Sequence, residues 1–111
     1  MNLGRVGTSI ILVLGGALLA GCQSNLALAP PLSPAFIRAG ARRNADERTL
    51  TQGRTLFLNR CIQCHALPEA ARFDASRLTT IVAKMSGRAN LNPAEHKAVL
   101  KYLLTVRSQS L

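Results

Sequence analysis

The segment Cys61-Ile62-Gln63-Cys64-His65 places two thiols and an imidazole within five positions. Four chemistries use such a group. A zinc site needs four ligands in tetrahedral array, and here adjacent Cys64 and His65 would both have to reach one ion, with His96, Cys22 or a carboxylate completing the set. A thioredoxin-like redox pair belongs in a βαβ context, which the chain does not offer. A structural disulfide across so short a loop would stabilise little. Covalent haem attachment needs two thiols about one helical turn apart, to add across two vinyl groups, and an imidazole beside the second thiol to ligate the iron. The cluster satisfies that requirement best.

The elements that must hold this cluster read as helices, and the expected class is all-α. A first helix runs from about Asp46 into the cysteines, with Asn44 as N-cap, Glu47 at N3 and a buried stripe of Leu50, Gly53, Leu56 and Phe57. A loop containing Pro68 follows. A second helix starts near Asp74 or Ser76, carries Leu78, Ile81, Val82 and Met85 at i, i+3, i+4 and i+7, and ends at Gly87. The third opens with Asn92 as cap, Pro93 at N1 and Glu95 at N3, and its stripe is Val99, Tyr102, Leu103 and Val106. No segment alternates as a strand. With three Phe, one Tyr and no Trp, this core is thin, and small domains of its kind usually need a staple. A haem would supply one.

The 111 residues leave room for one domain. Arg5 is the only charge before Arg38, and the apolar run from Ile10 through small residues to Gly21 is too short and glycine-rich for a bilayer span of roughly 20 apolar residues. A basic start, an apolar middle and a small-residue exit form an export signal. Leu19-Ala20-Gly21-Cys22 resembles the lipobox of bacterial lipoproteins, which implies a diacylglyceryl group on the Cys22 thiol and cleavage before it. An ordinary cleaved signal and an uncleaved anchor are the alternatives. Residues 22–45 then read as a tether, with Pro30, Pro31 and Pro34 stiffening it and Arg38, Arg42 and Arg43 closing it against either lipid headgroups or solvent. Residues 46–111 form the functional domain.

Loss of residues 1–21 removes Arg5 and leaves 13 Lys+Arg against 5 Asp+Glu, a net +8. An exported chain does not meet nucleic acid, so anionic headgroups and acidic protein surfaces are the partners such a balance steers toward. Scattered charge that merely keeps a small domain soluble is the plainer alternative.

The run Gly53-Arg54-Thr55-Leu56-Phe57-Leu58-Asn59-Arg60-Cys61-Ile62-Gln63-Cys64-His65 resembles the opening of class I c-type cytochromes, in which a helix with a glycine and an aromatic leads into C-x-x-C-H. Met85-Ser86-Gly87-Arg88-Ala89-Asn90-Leu91, followed by Glu95 and Tyr102-Leu103, is similar to the axial-methionine segment and last helix of small monohaem members. The resemblance covers roughly residues 46–107. It implies a small cytochrome c-like domain of about three helices around one covalently attached haem c, with the first and last helices crossing closely. Gly53 and Tyr102 are the natural partners there, because glycine admits a close neighbour. The chain departs from many relatives in lacking a tryptophan ahead of the methionine segment, where Leu78 stands, and in the early Pro68.

Cys61 and Cys64 would bind the haem, and His65 would be the proximal ligand. Met85 is the only methionine of the mature chain, and His96 the only other histidine. Met85 ends an inward stripe and is the expected distal ligand, whereas His96 sits at the rim of its stripe. The expectation is a membrane-tethered electron carrier between redox proteins, with no enzymatic activity of its own. A five-coordinate haem protein that binds small gases or acts as a peroxidase is one alternative; a fixed cytochrome subunit of a larger oxidoreductase is another, and a structural lipoprotein without haem is a third. Gln23 lacks the aspartate that marks inner-membrane retention in some bacterial lipoproteins, so the membrane concerned stays open.

Overall fold

The structure is a computed structural model that describes residues 27–61 and 69–111. Cys22, Cys64 and His65 lie outside the described residues. The expected all-α class holds: four α-helices lie wholly within the described residues, α1 Pro34–Ala41, α2 Glu47–Leu56, α3 Ala75–Arg88 and α4 Pro93–Gln109, residues 27–28 are helical as well, and there is no strand among the described residues. A π-helical turn, Phe57–Cys61, prolongs α2, and a 3₁₀ turn, Ala70–Arg72, precedes α3.

α4 is the spine against which the other three helices pack. Its start is a complete capping box. The Asn92 side chain accepts from Glu95 N at 2.9 Å, and the Glu95 carboxylate accepts from Asn92 N at 2.9 Å, so two orphan donors of the first turn are satisfied at once. The expected stripe of Val99, Tyr102, Leu103 and Val106 is buried. Among the described residues, no buried polar side-chain atom lacks a hydrogen-bond partner.

The close crossing falls where the resemblance places it. A Cβ built on Gly53 would lie 2.7 Å from Tyr102 Cβ and inside contact distance of the Ala98 carbonyl oxygen. Only a residue without a side chain lets α2 and α4 approach so closely.

The segment read as a tether differs most from expectation. From residue 29 onward it belongs to the fold. Ser33 caps α1 by accepting from Phe36 N at 3.1 Å, Pro34 takes N1, and Phe36, Ala39 and Gly40 are buried. The Phe36 ring lies 5.5 Å from the Tyr102 ring, which lies 6.2 Å from that of Phe57, within the range for favourable tilted aromatic contacts. The core is therefore thicker than three helices would make it. The Tyr102 hydroxyl donates to the Pro30 carbonyl at 2.8 Å, and Arg54 Nε donates to the Ala29 and Pro30 carbonyls, each at 3.2 Å. Burial pushes the Tyr102 phenol up to about 12, against the opposing pull of the Arg54 charge, so it remains a donor throughout the physiological range.

Two helix boundaries also move. Asp46, not Asn44, caps α2, accepting from Thr49 N at 2.8 Å; hydrogen bonding from the Thr49 side chain, and then from its backbone N–H, holds the Asp46 carboxyl below its ordinary value. Asn44 instead adopts a φ of 56° in the left-handed region, a conformation asparagine tolerates better than most residues, and turns the chain from α1 into α2. Lys101 Nζ closes that corner by donating to the Arg43 and Asn44 carbonyls at 2.5 and 3.2 Å. At the other boundary Gly87 lies inside α3, and Asn90, with a φ of 54°, ends the helix. Leu91 N then donates back to Ser86 O at 2.9 Å, the six-to-one bond of a left-handed helix stop.

Candidate functional site

The last turn of α2 widens into the π form between Phe57 and Cys61, a local irregularity that recurs at functional sites. Phe57 is buried and Cys61 half-buried. Both line one cleft that α3 and α4 complete. α3 contributes Leu78, Ile81, Val82, Met85 and Ser86, α4 contributes Val99 and Leu103, and Phe73, Ala89 and Leu91 close the rim. Thus Cys61 and Met85, both selected in the sequence, line the same apolar cleft.

The surroundings explain how these side chains are held. Asp74 caps α3 by accepting from Arg77 N at 2.8 Å, which fixes the helix start and so the stripe that ends at Met85. Arg107 Nε of α4 donates to the Phe73 carbonyl at 2.8 Å and anchors the Phe73 backbone at the cleft rim. Ser86 is the one hydroxyl of the wall, and it donates to the Val82 carbonyl at 2.8 Å, so its polar hydrogen is spent within its own helix. The cleft thus offers apolar surface, a thiol and a thioether.

Thiol, thioether and apolar wall are the donor set and the solvent that a covalently bound macrocycle with a soft distal ligand requires. Cys61 and Met85 suit a haem in chemical type, while Cys64 and His65, the other groups that would hold it, lie outside the described residues. The cleft's free volume is about 30 Å³, enough for small molecules of water size; pockets that bury a large ligand run to roughly 300–1,000 Å³. Half-buried Phe73, Ile81, Met85 and Leu91 are the side chains whose outward movement would open it.

His96 is half-buried in the first turn of α4 and does not line the cleft. Cys64 and His65 lie outside the described residues, as does the lipidation candidate Cys22. Sequence reasoning missed Phe73 as a cleft residue; nothing local marks it, because its place is set by a bond from Arg107, 34 residues away. No helix of the described residues is long and apolar enough to cross a membrane.

No protein-family model, curated protein or solved structure matches the chain.

Proposed function

We propose that the protein is an exported, lipid-anchored monohaem c-type cytochrome that relays single electrons between redox proteins at a bacterial membrane. The observation that carries this reading is the convergence of Cys61 and Met85 on one apolar cleft, beside a Cys-Ile-Gln-Cys-His sequence that has the spacing of haem attachment. Haem, when bound, supplies a one-electron ferric–ferrous couple.

The chain's own residues supply the rest. Cys61 and Cys64 would hold the group covalently, and His65 and Met85 would be its two protein ligands. A thioether is a soft donor that favours the ferrous state, so Met85 raises the potential relative to a second histidine. Leu78, Val82, Val99 and Leu103 exclude water, which disfavours the state of higher charge. With both ligands supplied by the protein, a substrate would find no position on the group, and the protein would carry electrons without transforming a molecule of its own.

Carbon monoxide distinguishes this carrier from a gas-binding or peroxidase-like haem protein. The reduced protein is expected to keep its absorption spectrum unchanged under carbon monoxide. A rapid spectral shift at neutral pH would mean an open iron position and would contradict the carrier.

A further inference from the structure

We propose that the edge of the domain formed by α1 rests on a bilayer surface bearing anionic lipid headgroups, through Arg38, Arg42 and Arg43. This inference depends on the reading of Cys22 as a lipidated residue. Its own support is the way the chain enters the fold.

A tether running to residue 45 would leave the domain free to swing. The structure shortens it. Ala29 is fully buried, its carbonyl accepts from Arg54 Nε at 3.2 Å, and the next carbonyl, that of Pro30, accepts the Tyr102 hydroxyl at 2.8 Å. Seven residue steps separate Cys22 from Ala29, a span of about 25 Å at full extension. A helix closes at Leu28, and after the bend at Ala29 the chain passes into α1 within five residues, so α1 follows closely on the anchored end.

The charge of this edge suits such a surface. Arg38 and Arg42 are exposed and stand four residues apart, on one side of the helix. Half-buried Arg43 follows, and exposed Arg48 lies just beyond on α2. The acidic groups facing this edge are Asp46 and Glu47, both exposed, and Asp46 is engaged in capping Thr49. Lys101, reaching the Arg43 and Asn44 carbonyls, adds a further cation. Basic excess therefore remains after the acids are counted.

Lys101 and Tyr102 face α1, through the Arg43, Asn44 and Phe36 contacts, whereas Val99 and Leu103 face the cleft. At about 100° per residue, Lys101, which reaches the turn after α1, lies roughly 160° around α4 from both Val99 and Leu103, and Tyr102, which meets Phe36 of α1, lies about 60° from Val99 and 100° from Leu103. The Arg42–Arg43 end of the edge thus lies on the Lys101 side of the spine, away from Val99 and Leu103, with Tyr102 between them.

The test uses the full, matured protein in vesicles, with an arginine-directed footprint by phenylglyoxal read by mass spectrometry. On mixed phosphatidylglycerol and phosphatidylcholine vesicles, Arg38 and Arg42 are expected to react several-fold more slowly than on phosphatidylcholine alone, because the attraction of each basic residue to an anionic surface holds the edge down. Protection should vanish in 1 M salt, where the screening length is about 3 Å. Exposed Arg77 and Arg88 on α3 should react equally on both vesicles. Equal reactivity of Arg38 and Arg42 on both, or protection of Arg77 and Arg88 in their place, overturns the inference. The intact mass of the same sample separates the two levels. If Cys22 carries lipid and the arginines stay unprotected, only the seating fails; if Cys22 is unmodified, the anchor and the seating fail together.

Discussion

Replacing Met85 with alanine is expected to lower the reduction potential by on the order of 0.1–0.3 V, a substantial part of the ~0.8 V that axial ligation spans. The same variant should lose the weak sulfur-to-iron band at the red end of the oxidised spectrum and should bind carbon monoxide when reduced. Three observations lead there. Met85 is the only methionine left after removal of residues 1–21. It sits on the wall of the cleft that Cys61 also lines. It is half-buried, not locked in the core, so its loss should cost less stability than truncation of a fully packed neighbour such as Leu78. His96→Ala is the control, since His96 does not line the cleft, and both spectrum and potential should stay nearly unchanged. Retained six-coordination in the Met85 variant, together with its loss in the His96 variant, would identify His96 as the ligand and remove the basis for a high-potential carrier.

Gly53→Ala should be the most damaging single methyl addition in the domain. The new Cβ would meet the Ala98 backbone and Tyr102 Cβ, the latter at 2.7 Å. A backbone carbonyl cannot swing away as the end of a side chain can, so α2 and α4 must separate. Overpacking of this kind costs typically 1–3 kcal/mol, and on a domain of this size it should lower the melting temperature by on the order of 10–20 °C. Gly87 provides the contrast, because a Cβ there meets nothing within 4 Å. Thermal unfolding followed by circular dichroism reads both variants, and a Gly53→Ala protein as stable as Gly87→Ala would mean that the crossing is looser than described.

The parts of the fold legible in the sequence are those with a local cause. Asn92-Pro93 with Glu95 announces the start of α4, and the 3.6-residue stripes of α3 and α4 give their buried faces. The Gly53–Tyr102 crossing was available only through the resemblance to c-type cytochromes, and the packing agrees with it. Other features depend on context. Ser33-Pro34 is the same kind of start signal as Asn92-Pro93, yet three prolines and a short apolar run give the segment the composition of a linker. What makes α1 part of the domain is remote: Phe36 against Tyr102, and the Pro30 carbonyl on the Tyr102 hydroxyl. At the corner before α2, both Asn44 and Asp46 are competent caps, and the left-handed turn required there assigns the turn to Asn44 and the cap to Asp46. Gly87 and Asn90 divide in the same way at the end of α3. At the site, motif spacing points to Cys61, and elimination with the cytochrome-like tail points to Met85; packing brings the two onto one cleft, while Cys64 and His65 stand on their spacing alone.

Covalent haem on the polypeptide is the most direct measurement of the central claim. The protein is matured in an exporting bacterium, denatured, extracted with acidified organic solvent, and examined for haem absorbance and mass on the chain. One haem per chain should remain, resistant to extraction, with an alkaline pyridine spectrum characteristic of two thioether links, and Cys61→Ser with Cys64→Ser should abolish it. A folded, helical wild-type chain that carries no haem, or releases it all on extraction, would contradict the account.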